Sequence, residues 1–194
     1  MRRAALGFFA AAALLAGCAS PDPTYYTLSA VPGSAVPSRG HVIEVRRPGL
    51  AGYLDRSDVV LKSAGYRLDV NSQLRWAEPL GDMIGRVLAE DLTERLPESA
   101  VFTEAGAISA NSDRRLEVDI QRFDPDADGT VVLSAQVALE GERGHTPLVT
   151  RHIVLRATPS GPGASQLAAA MSALLGQLAD QIAADVVRSG SAAF

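Results

Sequence analysis

The segment "RLEVDIQRFDPDADGTVVLSAQVAL", Arg115–Leu139, restricts the fold more than any other part of the chain. Leu116, Val118 and Ile120 alternate with Glu117, Asp119 and Gln121. Val131, Leu133, Ala135, Val137 and Leu139 then alternate with mostly polar neighbours. A period of two places the apolar set on one face of a pleated strand and the polar set on the other. Between the two runs lies Asp124-Pro125-Asp126-Ala127-Asp128-Gly129, where Asp128-Gly129 is a strong hairpin signal and Gly129 a structural turn residue. An antiparallel hairpin with one buried face needs a second layer to cover that face.

Two segments can supply the layer. After "RWAEPL", Leu80, Ile84, Leu88 and Leu92 recur at four-residue spacing with Val87 and Leu96, while Asp82, Arg86, Glu90 and Glu94 mark an opposite polar face. This predicts an amphipathic helix with Pro79 in its first turn and its end near Pro97. A second helix is expected over about 165–188, with the stripe Leu167, Met171, Leu174, Leu178, Ile182 and Val186, Ser165 as N-cap and Gly190 just past the end. "HVIEVRR" predicts a strand near 41–46, "DVVLKSAGYRLDV" two short strands around 63–65, and 148–158 a third strand of the meander. The expectation is an α+β two-layer sandwich: one sheet, largely antiparallel or mixed, with both long helices on the same face.

The amino terminus has a different character. Met1-Arg2-Arg3 precedes the uncharged run Ala4–Gly17, shorter than the roughly 20 apolar residues of a spanning helix and without a polar face. Those are the length and flanks of a signal peptide, placed at residues 1–17. It ends in Leu15-Ala16-Gly17-Cys18, which resembles a bacterial lipobox, a signal cut just before a cysteine that carries S-diacylglycerol and an acylated amino group. Cys18 is the only cysteine, so no intrachain disulfide can form. Residues 16–20 contain neither a base nor a positive charge to activate it as a nucleophile. Two or more acyl chains make such an anchor firm. By the same resemblance, Ala19 after the cysteine implies sorting to the outer membrane. Residues 18–40 read as the lipidated start and a Pro/Ser/Gly-rich tether in which Tyr25-Tyr26-Thr27-Leu28 docks on the domain. Residues 41–190 form a single periplasmic domain, and 191–194 a tail.

Charge excludes some roles. The chain carries a formal net charge of −4, and the predicted cleavage removes two arginines, so nothing here resembles the basic footprint of nucleic-acid binding. Candidate chemistry is thin. Asp124–Gly129 matches the first half of an EF-hand loop, but the twelfth position is Ala135 rather than a bidentate glutamate, and strands flank it, so a hairpin turn is the better reading. His41, His145 and His152 lack metal-ligand spacing and read as ordinary surface residues. "GPGASQL" is neither a nucleophile elbow nor a phosphate loop. No catalytic, metal or cofactor residues are assigned. What remains is Tyr53, Leu54, Asp55 and Arg56, a loop whose residue types fit either a partner contact or a structural role, with Tyr53 plugging the corner and Asp55 pairing with Arg56. Trp76, the single tryptophan, fits a structural plug at the sheet–helix corner.

"YYTL" after the lipobox, "YLDR" before "VVLK", "RWAEPL" opening a helix, and the Arg115–Leu139 hairpin together resemble the ABC-type transport auxiliary lipoproteins, and within them the PqiC-type lipoproteins of MCE transport systems. Ser57-Asp58 departs from that pattern, where a proline and a polar residue are expected. The resemblance implies a non-enzymatic lipoprotein facing the periplasm from the outer membrane. Its partner would be an MCE-domain protein bridging the envelope, with inner-membrane transporter components indirectly linked and a homo-oligomeric ring as its assembly. The system would move lipids between membranes and support barrier integrity. Two other readings stay open at this point: a stand-alone periplasmic binder of lipid or envelope fragments, with a deep apolar pocket, and a hydrolase, with Ser, His and Asp clustered in a cleft.

Overall fold

A computed structural model of the chain describes residues 22–64, 66–108, 110–141 and 147–191. The expected signal peptide 1–17, Cys18, Gly65 and His145 lie outside the described residues, as do 192–194 of the expected tail 191–194, whose Ser191 ends the last helix. The strands are β1 (Thr24–Tyr26), β2 (Val42–Val45), β3 (Gly49–Leu50), β4 (Asp58–Ala64), β5 (Arg67–Trp76), β6 (Ala100–Thr103), β7 (Arg114–Pro125), β8 (Val131–Gly141) and β9 (Pro147–Ala157). The helices are α1 (Leu80–Arg95) and α2 (Ala164–Ser191).

The α+β architecture follows the sequence reading, with one correction. There are two sheets, not one. The larger has the order β6-β2-β7-β8-β9, with β3 beside β7; the smaller is β1-β5-β4. The hairpin expected around 63–65 therefore belongs to a separate sheet. Pairing is mixed: β7/β8, β8/β9 and β4/β5 are antiparallel, whereas β2/β6, β2/β7, β3/β7 and β1/β5 are parallel. Two short strands, β3 and β6, had no sequence expectation.

Both helices lie on one face of the larger sheet, α1 over β2 and β6 and α2 over β8 and β9. The alternating residues of β7 and β8 behave as their pattern demands: Leu116, Ile120, Leu133, Ala135 and Leu139 are buried, and Glu117, Asp119 and Gln136 are exposed. They meet Ile84, Leu88 and Leu92 of α1 and Leu174, Leu178 and Ile182 of α2 in one continuous core. Packed side chains thus fill the interlayer space, where a deep binding pocket would have to open. Among the described residues, Ala164–Ser189 is long and apolar enough to cross a bilayer, but 67% of its most apolar window is buried, as expected of a core helix.

Two helix ends differ from expectation. α2 starts at Ala164, with the Leu167 N–H bonded to the Gly163 carbonyl, so Ser165 sits in the first turn rather than at the cap. Gly190 is inside the last turn, not beyond it. α1 starts immediately after Pro79 and closes at Leu96, whose N–H bonds back to the Leu92 carbonyl before Pro97 forbids another turn.

Leu28, expected to dock, and residues 29–38, expected as tether, lie against the helices. Leu28 is buried, with its N–H on Met83 Sδ at 3.1 Å. The Ser29 N–H meets Ser172 Oγ at 3.2 Å, the Val31 N–H meets Asp91 Oδ1 at 2.8 Å, and the Val36 N–H bonds to the Arg95 carbonyl at 2.8 Å. The clamp centres on the buried side chains of Asp91 and Arg95, with exposed Asp180 at its edge. The Arg95 guanidinium reaches Asp180 Oδ1 on α2 at 2.6 Å, the Val31 carbonyl at 3.1 Å and the Asp91 carbonyl at 3.0 Å. A Cβ at Gly33 would overlap the guanidinium carbon, so glycine is what allows the segment to cross there.

Candidate functional site

The four sequence motifs converge on one corner of the molecule. Parallel pairing of β1 with β5 sets Tyr26 beside Trp76, and the Ala77 N–H continues the ladder to the Tyr26 carbonyl at 2.8 Å. The Trp76 N–H bonds the Ser57 carbonyl at 2.8 Å, which joins "RWAEPL" to the residue directly after "YLDR". Tyr53 Oη then donates to Asp124 Oδ1 at 2.6 Å, joining "YLDR" to the hairpin. Segments as far apart in sequence as Tyr26 and Asp124 become one hydrogen-bonded unit.

Each expected residue has a definite place in it. Trp76 is 5% exposed and packs in the core with Leu54, Leu80 and Phe123 around it. Leu54 is also buried, so its side chain anchors the loop from inside. Tyr53 is half-buried; burial, reinforced by the Asp124 hydrogen bond, pushes its hydroxyl well above the ordinary tyrosine range. Asp55 and Arg56 are exposed at the apex of a tight loop closed by Leu54 N–H to the Ala51 carbonyl and Arg56 N–H to the Leu54 carbonyl, each at 2.8 Å. Of the four loop residues, two hold the corner together and two face solvent.

The acidic run of the hairpin is equally occupied. Asp124 is fully buried in β7, facing Tyr53 and the Arg122 guanidinium at 3.4 Å. Asp126 pairs with Arg122 at 3.9 Å and Arg156 at 3.8 Å. Asp128 Oδ1 accepts the Thr130 N–H at 2.9 Å, which holds its carboxyl below the usual range. Gly129 carries the turn at φ +85°, a conformation that glycine reaches without strain. Asp124 and Asp126 share the Arg122 guanidinium while Asp128 accepts a backbone N–H, and among the described residues the three carboxylates do not converge as a cation site would require.

The histidines divide. His41 corrects its expectation: it is 8% exposed rather than on the surface, with Nδ1 3.4 Å from Asp113 Oδ2. His152 is exposed on the outer sheet face, its Nε2 2.8 Å from Ser134 Oγ on the neighbouring strand. That contact is a cross-strand pair on an open face; among the described residues no carboxylate holds the other ring nitrogen, as a triad base would need.

Sequence reasoning missed Asp91 and Arg95. Asp91 is four residues after Val87 and three after Leu88, so it falls inside the apolar stripe, and its intrusion there was the available signal. Asp91 is fully buried and its pKa rises to about 6, because burial outweighs the Val31 N–H and the Arg95 guanidinium 3.5 Å away.

The profile of the ABC-type transport auxiliary lipoprotein component family matches residues 26–183. The chain belongs to this family. It is a family of transport auxiliary lipoproteins, not a known enzyme family, and a lipoprotein component is held at a membrane of the cell envelope. Among solved structures, protein XCC0632 from Xanthomonas campestris matches over 87% of this chain and 97% of its own, with a TM-score of 0.71 at 20% identity. An uncharacterized protein matches over 86% of this chain and 99% of its own, with a TM-score of 0.70 at 19% identity. At such identities the likeness is one of fold. Among curated proteins, none matches. The matched span starts at Tyr26, so the docked stretch 28–38 lies within the family domain.

Proposed function

We propose that the protein is the docking subunit of an MCE-type intermembrane lipid transport system. Cys18, N-acylated and carrying S-diacylglycerol, anchors it to the periplasmic face of the outer membrane. The Tyr53–Arg56 corner meets an envelope-bridging MCE-domain partner, whose other end reaches the inner-membrane transporter components. Several identical copies form a ring around that partner. The observation carrying this reading is the convergence of the family's motifs on one corner that spends Tyr53, Leu54 and Trp76 on rigidity and leaves Asp55 and Arg56 to solvent. A rigid loop presenting unlike charges suits partner recognition, because charge at an interface sets specificity and register.

The test is charge reversal, Asp55→Lys with Arg56→Glu, in the full acylated lipoprotein. Capture of the MCE-domain partner should fall by about tenfold or more, the scale on which interface anchors act. Thermal unfolding should stay unchanged, since neither side chain supports the core. Undiminished capture would sink the assignment of this corner.

A further inference from the structure

The β4–β5 hairpin has a part that the corner does not use. β1 borders β5 only at Leu74–Trp76, so from Arg67 to Asn71 β5 is paired with β4 alone. This is a two-stranded arm, an arrangement marginal in water by itself. Its end is apolar: Tyr66 is 110% exposed, Leu68 38% and Val70 36%. Leu68 and Val70, two residues apart, share a face. Three of the seven exposed large hydrophobics among the described residues are therefore on this arm. Arg67 at the tip is already paired with Asp69, at 2.6 Å, and with Lys62 of β4 opposite Asp69 the arm's net charge is only +1.

The direction of the chain says what meets this tip. β1 is parallel to β5 with Thr24 beside Leu74, so the amino end of β1 faces the side toward which the arm projects. Cys18 is six residues upstream of Thr24 and can reach about 20 Å at most, at roughly 3.3–3.6 Å per residue. Tyr66 is eight residues upstream of Leu74 along a strand, about 26 Å at roughly 3.3 Å per residue. Residues 28–38 are clamped by Asp91, Arg95 and Ser172 and can release no slack. With Cys18 acylated as proposed above, a domain tied this closely would stand at the bilayer surface, with its arm long enough to reach it.

We propose that the arm is a second membrane contact, with Tyr66, Leu68 and Val70 entering the interfacial layer of the bilayer that holds the acyl chains. The inference rests on the anchoring of Cys18 proposed above. Tyrosine suits that layer, with an apolar ring and a wet hydroxyl. Two points of attachment would fix the domain's tilt and so aim its corner, which a single flexible anchor cannot do. Because the contact is apolar, salt should not release it.

The test uses Tyr66→Cys in the acylated lipoprotein, where the new thiol is the only free one, labelled with an environment-sensitive dye. The protein is reconstituted in phosphatidylethanolamine–phosphatidylglycerol vesicles. The dye at position 66 should brighten several-fold and be quenched by lipids spin-labelled near the headgroup, while a dye at Glu117→Cys on the outer sheet face should do neither. Adding Leu68→Ser and Val70→Ser should return the dye at 66 to water without changing acyl mass or flotation. Acylated, floating protein with a wet dye at 66 overturns the arm contact alone. Protein without an acyl mass, or that does not float, overturns the anchoring and the arm contact together.

Discussion

Replacing Asp91 with asparagine isolates one buried charge and predicts how its effect changes with pH. The folded chain holds the Asp91 carboxyl at a pKa of about 6, against an ordinary 3.8. A raised folded-state pKa means that folding favours the protonated acid. The favourable contribution is complete below the unfolded pKa and disappears as pH rises through about 6. At roughly 1.4 kcal/mol per pH unit, this comes to about 3 kcal/mol. The side chain is fully buried, so solvent screening does not reduce it substantially. The asparagine amide keeps an oxygen for the Val31 N–H but cannot titrate. The stability of Asp91→Asn relative to the natural chain should therefore improve by about 3 kcal/mol between roughly pH 4 and pH 8, with most of the change between about pH 4 and pH 6. Urea unfolding followed by fluorescence of Trp76, the single buried tryptophan, measures both proteins across the range. The difference between them cancels the titrating groups that do not interact with Asp91. A flat difference would show that burial does not perturb Asp91. A difference that moves against the variant as pH rises would show that attraction to Arg95 outweighs burial.

Three further outcomes follow from the same geometry. Gly33→Ala drives a methyl into the Arg95 guanidinium and should cost about 1–3 kcal/mol, with faster proteolysis within 28–38. Tyr53→Phe leaves buried Asp124 with Arg122 as its remaining side-chain partner and should cost about 1–3 kcal/mol by thermal unfolding, with weaker partner capture as the corner loosens. Cys18→Ser should abolish acyl labelling and flotation with vesicles yet leave circular dichroism unchanged; labelling that persists would refute the anchor.

How much of this was legible follows from the range of each interaction. α1, α2 and the β7–β8 hairpin are written in local periodicity, and Leu88, Leu133 and Leu178 are buried where their spacing puts them. A helix or hairpin closes its own hydrogen bonds within a few residues, so neighbours suffice to specify it. The lipobox is legible for a related reason, since a processing signal is read as a linear string. Trp76 and Gly129 also declare themselves, one by size and apolarity and the other by turn chemistry.

Parallel pairing has no such local record. β1 meets β5, and β2 runs between β6 and β7, through hydrogen bonds whose partners lie dozens of residues away. The β-prone residues of β6 were too few to announce a strand. The division into two sheets and the laying of 28–38 along the helices were invisible for that reason. Asp91 and Arg95 show the same limit from the side of charge. On a helical wheel they are polar residues near an apolar stripe, and only when α2 brings Asp180 and the N-terminal segment brings the Val31 backbone do they become a buried clamp. Local pattern was enough for the elements and the family, and it carries the proposal of an anchor at Cys18. The joining of Tyr26, Tyr53, Trp76 and Asp124 into one corner, and the direction of the arm relative to β1, came from contacts between distant segments, because those energies exist only once the chain has folded.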